Sequence, residues 1–127
     1  MGTPTKNEIY YTTCREIMAS PTSRTLAYLR KQGYIAQVVE KFNYFTKQRK
    51  DLFNVIDIVA VHPDYIGVLG VQVTSRAHIP ERVQKVKEEP IMKFWLDAKN
   101  RLEVHGWGLM GKLGKRKKYE IKIVEIK

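Results

Sequence analysis

The chain predicts an α/β domain: a mixed central sheet of about five strands flanked by helices. Three observations carry this. The run Asp51–Arg76, DLFNVIDIVAVHPDYIGVLGVQVTSR, is the most apolar and β-prone stretch, broken once by a His-Pro-Asp turn. Two proline-marked helix entries, at Pro21 and Pro80, lie on either side of it. The closing segment Tyr119–Ile126, YEIKIVEI, alternates apolar and polar residues as a half-exposed strand does.

The 127 residues make one domain's worth of chain, 1–127, with 1–19 expected as a frayed or peripheral segment. Within that segment, residues 8–19 fit a short strand or a helical turn equally. Hydrophobic content of 43% against 28% charged is that of a folded protein. Ser20-Pro21-Thr22-Ser23 opens a helix that runs to about Gln32, with Leu26 and Leu29 on one face and Gly33 ending it. Tyr34–Phe42 is expected as a first strand, and Asn43–Lys50 as a polar, basic connection. Phe53–Val61 and Tyr65–Thr74 are the second and third strands. Pro63 cannot donate to a ladder and so marks the bend between them. A helix follows over Pro80–Glu89 with Val83 and Val86 inward, then a second piece, IMKFWLDAK, after Pro90. Arg101–Leu109 is the fourth strand and Tyr119–Ile126 an edge-like fifth. Short links make strands one to three a meander. The helical connection from strand three to strand four is long enough to reach a parallel neighbour.

The net charge of +10 attracts polyanions. Five cations, Lys112, Lys115, Arg116, Lys117 and Lys118, crowd the loop before the last strand. Lys41, Lys47, Arg49 and Lys50 surround Tyr44 and Phe45, which are suited to base contact. Arg76 and Arg82 flank the third strand and the helix after it. DNA is the partner these residues fit. No apolar run reaches membrane-spanning length, and no basic amphipathic helix offers a membrane anchor. The single cysteine, Cys14, excludes an internal disulfide and a thiolate zinc cage, and fits a reducing, intracellular location. His62, His78 and His105 have no metal-binding spacing; only His78 falls near the end of strand three.

The chemistry is expected in the hairpin. Asp57 sits inside VIDIVAV, where a carboxylate is costly to desolvate unless hydrogen-bonded or bound to a cation. If residues 61 and 66 flank the turn, Asp57 faces residue 70, or 72 with the register shifted by two. Alternation then puts Asp57, Gln72 and Thr74 on one side, and Leu69, Val71 and Val73 on the other with Ile56, Ile58 and Ala60.

An acid on one strand, then a strand of apolar-apolar-X-Val-X form, then a helix resembles the PD-(D/E)XK nuclease superfamily. The order helix, three strands, helix, strand is most similar to its Holliday-junction-resolvase-like and small phage-type members. The resemblance spans roughly residues 22–107. It implies a restriction-endonuclease-like fold and a metal-dependent DNA endonuclease with the branched-DNA selectivity of the resolvase-like members, encoded on mobile DNA. It also implies a homodimer, since a four-way junction has two equivalent scissile strands. Asp57 matches the motif's first acid, and Gln72-Val73-Thr74 matches the second acid, the spacer and the lysine. Mg²⁺ (or Mn²⁺) would be held by Asp57, Gln72 and the Val73 carbonyl. Gln72 and Thr74 are neutral where the family carries an acid and a lysine, and the first helix lacks its common acid. Glu40 or Asp51 would restore the charge; Lys85 or Arg82 would replace the lysine. The competing reading is a catalytically decayed nucleic-acid-binding module on the same fold. A third is a structural subunit that binds through a strand edge.

Overall fold

The computed structural model describes residues 20–111 and 117–127. The expectations for Cys14, for residues 8–19, and for Lys112, Lys115 and Arg116 fall outside them.

Helix α1 (Pro21–Lys31) starts where the sequence says it should. Ser20 is extended, and its Oγ accepts from the Ser23 N–H at 3.2 Å, closing the first turn. Gly33, at φ +94°, ends it. Strands β1 (Ile35–Val38), β4 (Ile58–Val61) and β5 (Leu69–Ser75) form the antiparallel meander. A 3₁₀ turn (Arg76–His78), α2 (Ile79–Glu88) and α3 (Ile91–Asp97) then carry the chain to β6 (Arg101–Met110), which lies parallel to β5. Strand β7 (Lys118–Ile126) closes the sheet antiparallel to β6, at its edge. The order β1-β4-β5-β6-β7 is a five-stranded mixed sheet, so the chain is α/β as expected.

Each face of the sheet has its own core. Leu69, Val71 and Val73 alternate onto one face with Ala36, Ile58 and Ala60, and Leu29 of α1 covers them. Leu102 and Val104 of β6 look the other way, against Val86 of α2 and Met92 of α3, together with Val55, Ile56 and Ile126. Both tryptophans serve this packing. Trp95 Nε1 donates to the Arg101 carbonyl and Trp107 Nε1 to Thr25 Oγ1, each at 2.8 Å, so their polar ends are satisfied where the rings are half-buried.

Three expectations are corrected. The first strand stops at Val38 instead of reaching Phe42. Residues Lys41–Asn43 (β2) and Gln48–Lys50 (β3) form a separate two-stranded hairpin that takes in the end of that expected strand and the segment expected to be a plain connection. The second strand begins at Ile58, not Phe53. Phe53 and Asn54 adopt φ of +51° and +70°, and Leu52 bridges back to Ile56, so the backbone turns before it joins the ladder. That turn moves Ile56 out of the Ile58–Ala60 face and into the core under α2 and α3. The third strand begins at Leu69, not Tyr65, because residues 65–68 still belong to the turn that Gly67 closes at φ +81°.

The β4–β5 connection is pinned by its glycine. Gly67 sits at φ +81°, and a Cβ there would run into the Lys99 carbonyl just before β6. Gly67→Ala therefore combines a left-handed backbone with a clash against main chain. We expect a loss of about 2–4 kcal/mol, read as a lower urea midpoint with an unchanged slope.

Candidate metal and nucleic-acid site

The β4–β5 register settles which residue faces Asp57. Ile58 pairs with Val71 and Ala60 with Leu69, and the Asp57 N–H donates to the Val71 carbonyl at 2.9 Å. Asp57 therefore stands beside Gln72, the second of the two registers the sequence allows. Its Oδ2 accepts from Gln72 Nε2 at 2.6 Å and from the Val73 N–H at 2.7 Å. Asp57 is only 5% exposed and Gln72 only 2%. In this arrangement the amide nitrogen of Gln72 faces Asp57. Its Oε1 is buried without a hydrogen-bond partner among the described residues.

Two more carboxylates converge on Asp57. One oxygen from each of Glu40, Asp51 and Asp57 lies within 4.8 Å of the others. The β2–β3 hairpin brings the first two together. Lys41 pairs with Lys50, so one further step back along the ladder sets Glu40 against Asp51 across the hairpin's base. The base is fastened to the main sheet by the Val39 N–H on the Asp57 carbonyl, at 2.9 Å. Thus one hairpin and one ladder register assemble three acids from three segments.

The electrostatics of the cluster are unbalanced. Burial is the main force on the Asp57 carboxyl. With the hydrogen bond it shares with the Asp51 carboxyl, and the negative charges of Asp51 and Glu40, it pushes the group from 3.8 up to about 8. The Val73 N–H pulls the other way and does not offset this. The nearest cations help little. Arg49 reaches Glu40 at 3.7 Å with three-quarters of its side chain exposed, and Lys85 reaches Asp51 at 3.8 Å. A cluster of hard oxygen donors, one of which must otherwise hold a proton, fits a divalent cation of the Mg²⁺ or Mn²⁺ type. Gln72, whose nitrogen is bonded to Asp57, keeps its buried Oε1 without a hydrogen-bond partner among the described residues.

The cluster opens into a cleft of about 460 Å³ lined by Glu40, Arg49, Asp51, Asp57, Gln72, Val73, Thr74 and Arg82. The first turn of α1, Ser20-Pro21-Thr22, forms the facing wall. That wall was not read from the sequence as part of the site. The helix start was legible, but its position over the end of β5 depends on tertiary packing. Thr74 is buried at the cleft wall. Of the two cations considered for the lysine role, Arg82 lines this cleft. Lys85 meets Asp51 from a separate depression that it shares with Asn54, Glu81 and Gln84.

The remaining residues divide clearly. Lys41, Lys47, Arg49 and Lys50 are all exposed on the hairpin, and Lys117 and Lys118 are exposed at the start of β7. Arg76 lies beyond β5 with its stem packed on Gly108. His78 is at the surface beside Glu81 and is not part of the cleft. His105 is buried, edge-on to Tyr28, with Nε2 at 2.9 Å from Glu103. Asp64 is largely exposed in the β4–β5 turn, outside the cluster. Among the described residues no helix is long and apolar enough to cross a membrane. No family model, curated protein or solved structure matches the chain, and the functional reading stands on the geometry of this site.

Proposed function

We propose that the protein is a metal-dependent DNA endonuclease with a PD-(D/E)XK-like site. The observation that carries the reading is the convergence of Glu40, Asp51 and Asp57 at the floor of a cleft that also holds Arg82 and Arg49. The carboxylate missing at Gln72 is supplied by Asp51 and Glu40 through the β2–β3 hairpin.

In this reading Glu40, Asp51 and Asp57 hold Mg²⁺ or Mn²⁺, with Gln72 Oε1 and the Val73 carbonyl as further oxygens. The ion supplies charge neutralisation at the phosphate and a more acidic water. The protein's own residues do the rest. Gln72 Nε2 and the Val73 N–H fix the orientation of the Asp57 carboxylate. Arg82 stands where a cation can meet the phosphate, in the role the motif gives to lysine, with Lys85 holding Asp51 in place. The start of α1 turns its positive end toward the same cleft, which favours an anion there. Thr74 fills the lysine position with a neutral hydroxyl. The exposed hairpin cations and the basic residues 112–118 bind the backbone. DNA, an intracellular setting and a two-fold dimer on branched substrates belong to the same proposal.

The alternative is a binding module whose acid site no longer cleaves. Incubation with radiolabelled duplex, single-stranded and four-way-junction DNA in Mn²⁺ separates the two. The nuclease cuts at least one of these and stops in EDTA. Arg82→Ala lowers the cleavage rate about 100-fold while leaving DNA affinity within a few-fold. Metal-independent binding with no cleavage of any form rejects the nuclease reading. For either, five phosphate contacts from residues 112–118 contribute roughly −4 to −5 to the log–log salt slope on duplex DNA, and the hairpin cations make it steeper.

A further inference from the structure

The β2–β3 hairpin carries more than its two acids. All ten residues from Lys41 to Lys50 are exposed, with four cations among them and no acid. Its strands pair only with each other. At its tip Phe45 is fully exposed and Tyr44 is 81% exposed. The tip is nonetheless shaped. Asn43 Oδ1 accepts from the Phe45 N–H at 2.9 Å and from the Thr46 N–H at 3.3 Å, and Lys47 takes φ +55° to close the turn. Phe42 packs edge-on against Tyr44 with ring centroids 5.0 Å apart. Two aromatic faces held out into water on a hydrogen-bonded turn, with four exposed cations on the same hairpin, gain nothing for the fold.

We propose that the hairpin tip is a binding site for unpaired nucleobases, with Tyr44 and Phe45 as stacking faces and Lys41, Lys47 and Lys50 on the flanking phosphates. This deepens the nuclease reading and rests on it for the link to cleavage. The same hairpin that grips a base sets Glu40 and Asp51 at its root, so the gripped strand is delivered beside the carboxylate cluster. Charge selects the occupant. A second copy of the chain would bring four like cations against these four, whereas a strand with unpaired bases offers both phosphates and ring faces.

The test is fluorescence anisotropy in EDTA, with the full chain and two labelled probes: a perfect duplex, and the same duplex with a bulge of unpaired thymidines. Wild type is expected to bind the bulged probe about 10- to 100-fold more tightly than the duplex. Tyr44→Ala/Phe45→Ala should abolish that preference while keeping duplex affinity, and Tyr44→Trp/Phe45→Trp should restore it. The exposed positions make unfolding of these variants unexpected, and circular dichroism checks it. A wild type without the preference, a double-alanine variant that retains it, or self-association that the variant abolishes overturns the proposal. Because the binding assay needs no metal, the two readings fail separately. Preference without Mn²⁺-dependent cleavage keeps the tip and removes the nuclease. Cleavage with a preference unchanged by Tyr44→Ala/Phe45→Ala does the reverse.

Discussion

Asp57→Asn is expected to lower metal-dependent cleavage by at least about 1,000-fold and leave the protein folded. Asparagine keeps the size of the side chain, and its Oδ1 can still accept from the Val73 N–H. What it loses is the one carboxylate that lies between Glu40 and Asp51 on one side and Gln72 on the other. Above pH 8 the variant should melt at the same temperature as wild type or higher, because it removes a buried anion crowded by two others. A loss of activity with a raised or unchanged melting temperature assigns the defect to the site. Equal loss of both would mean that Asp57 is a structural group. Cleavage that survives Asp57→Asn would remove this residue from the chemistry.

The second large effect is on pH. The Asp57 carboxyl titrates at about 8 in the folded protein and at about 3.8 when released from it. Between these values the native chain holds a proton that the unfolded chain does not. Stability without metal therefore falls as pH rises from about 4 to about 8, and is flat above that. The total is on the order of several kcal/mol. Metal binding runs the opposite way, because the ion must displace the proton. Affinity should rise about tenfold per pH unit up to about pH 8 and then level. The groups that bear on this titration are Asp51 and Glu40, which hold the proton on, and the Val73 N–H, which favours its release. Denaturation curves and Mn²⁺ titrations at pH 6, 7, 8 and 9 check both slopes. Metal affinity independent of pH across this range would mean that the ion binds without Asp57.

Much of the fold could be read from the chain because local signals and global arrangement agree. Ser20-Pro21 and Gly33 bracket α1. Pro63 separates β4 from β5. The long helical connection after β5 makes β6 its parallel neighbour. Alternation placed Gln72 and Thr74 opposite Val71 and Val73 correctly, since β5 is an uninterrupted seven-residue strand. It failed at Ile56, where the positive φ of Phe53 and Asn54 interrupts the period before β4 begins. The β2–β3 hairpin escaped notice because its strands are three residues long and bury nothing, so no apolar pattern announces them. Without that hairpin, Glu40 and Asp51 are merely alternatives. With its register, Lys41 against Lys50, both arrive together at Asp57. Gln72 shows the other limit. Its residue type says that it can offer an oxygen. Only the ladder shows that its nitrogen is occupied by Asp57 and that its oxygen is left over.

The most direct test of the central claim is a crystal of the full chain equilibrated with Mn²⁺ at pH 8 and measured at an anomalous wavelength. One strong peak is expected, bonded to oxygens of Glu40, Asp51 and Asp57, on the cleft side of Gln72. No peak at millimolar Mn²⁺, or a peak only at exposed acids such as Asp64 or Glu81, would contradict it.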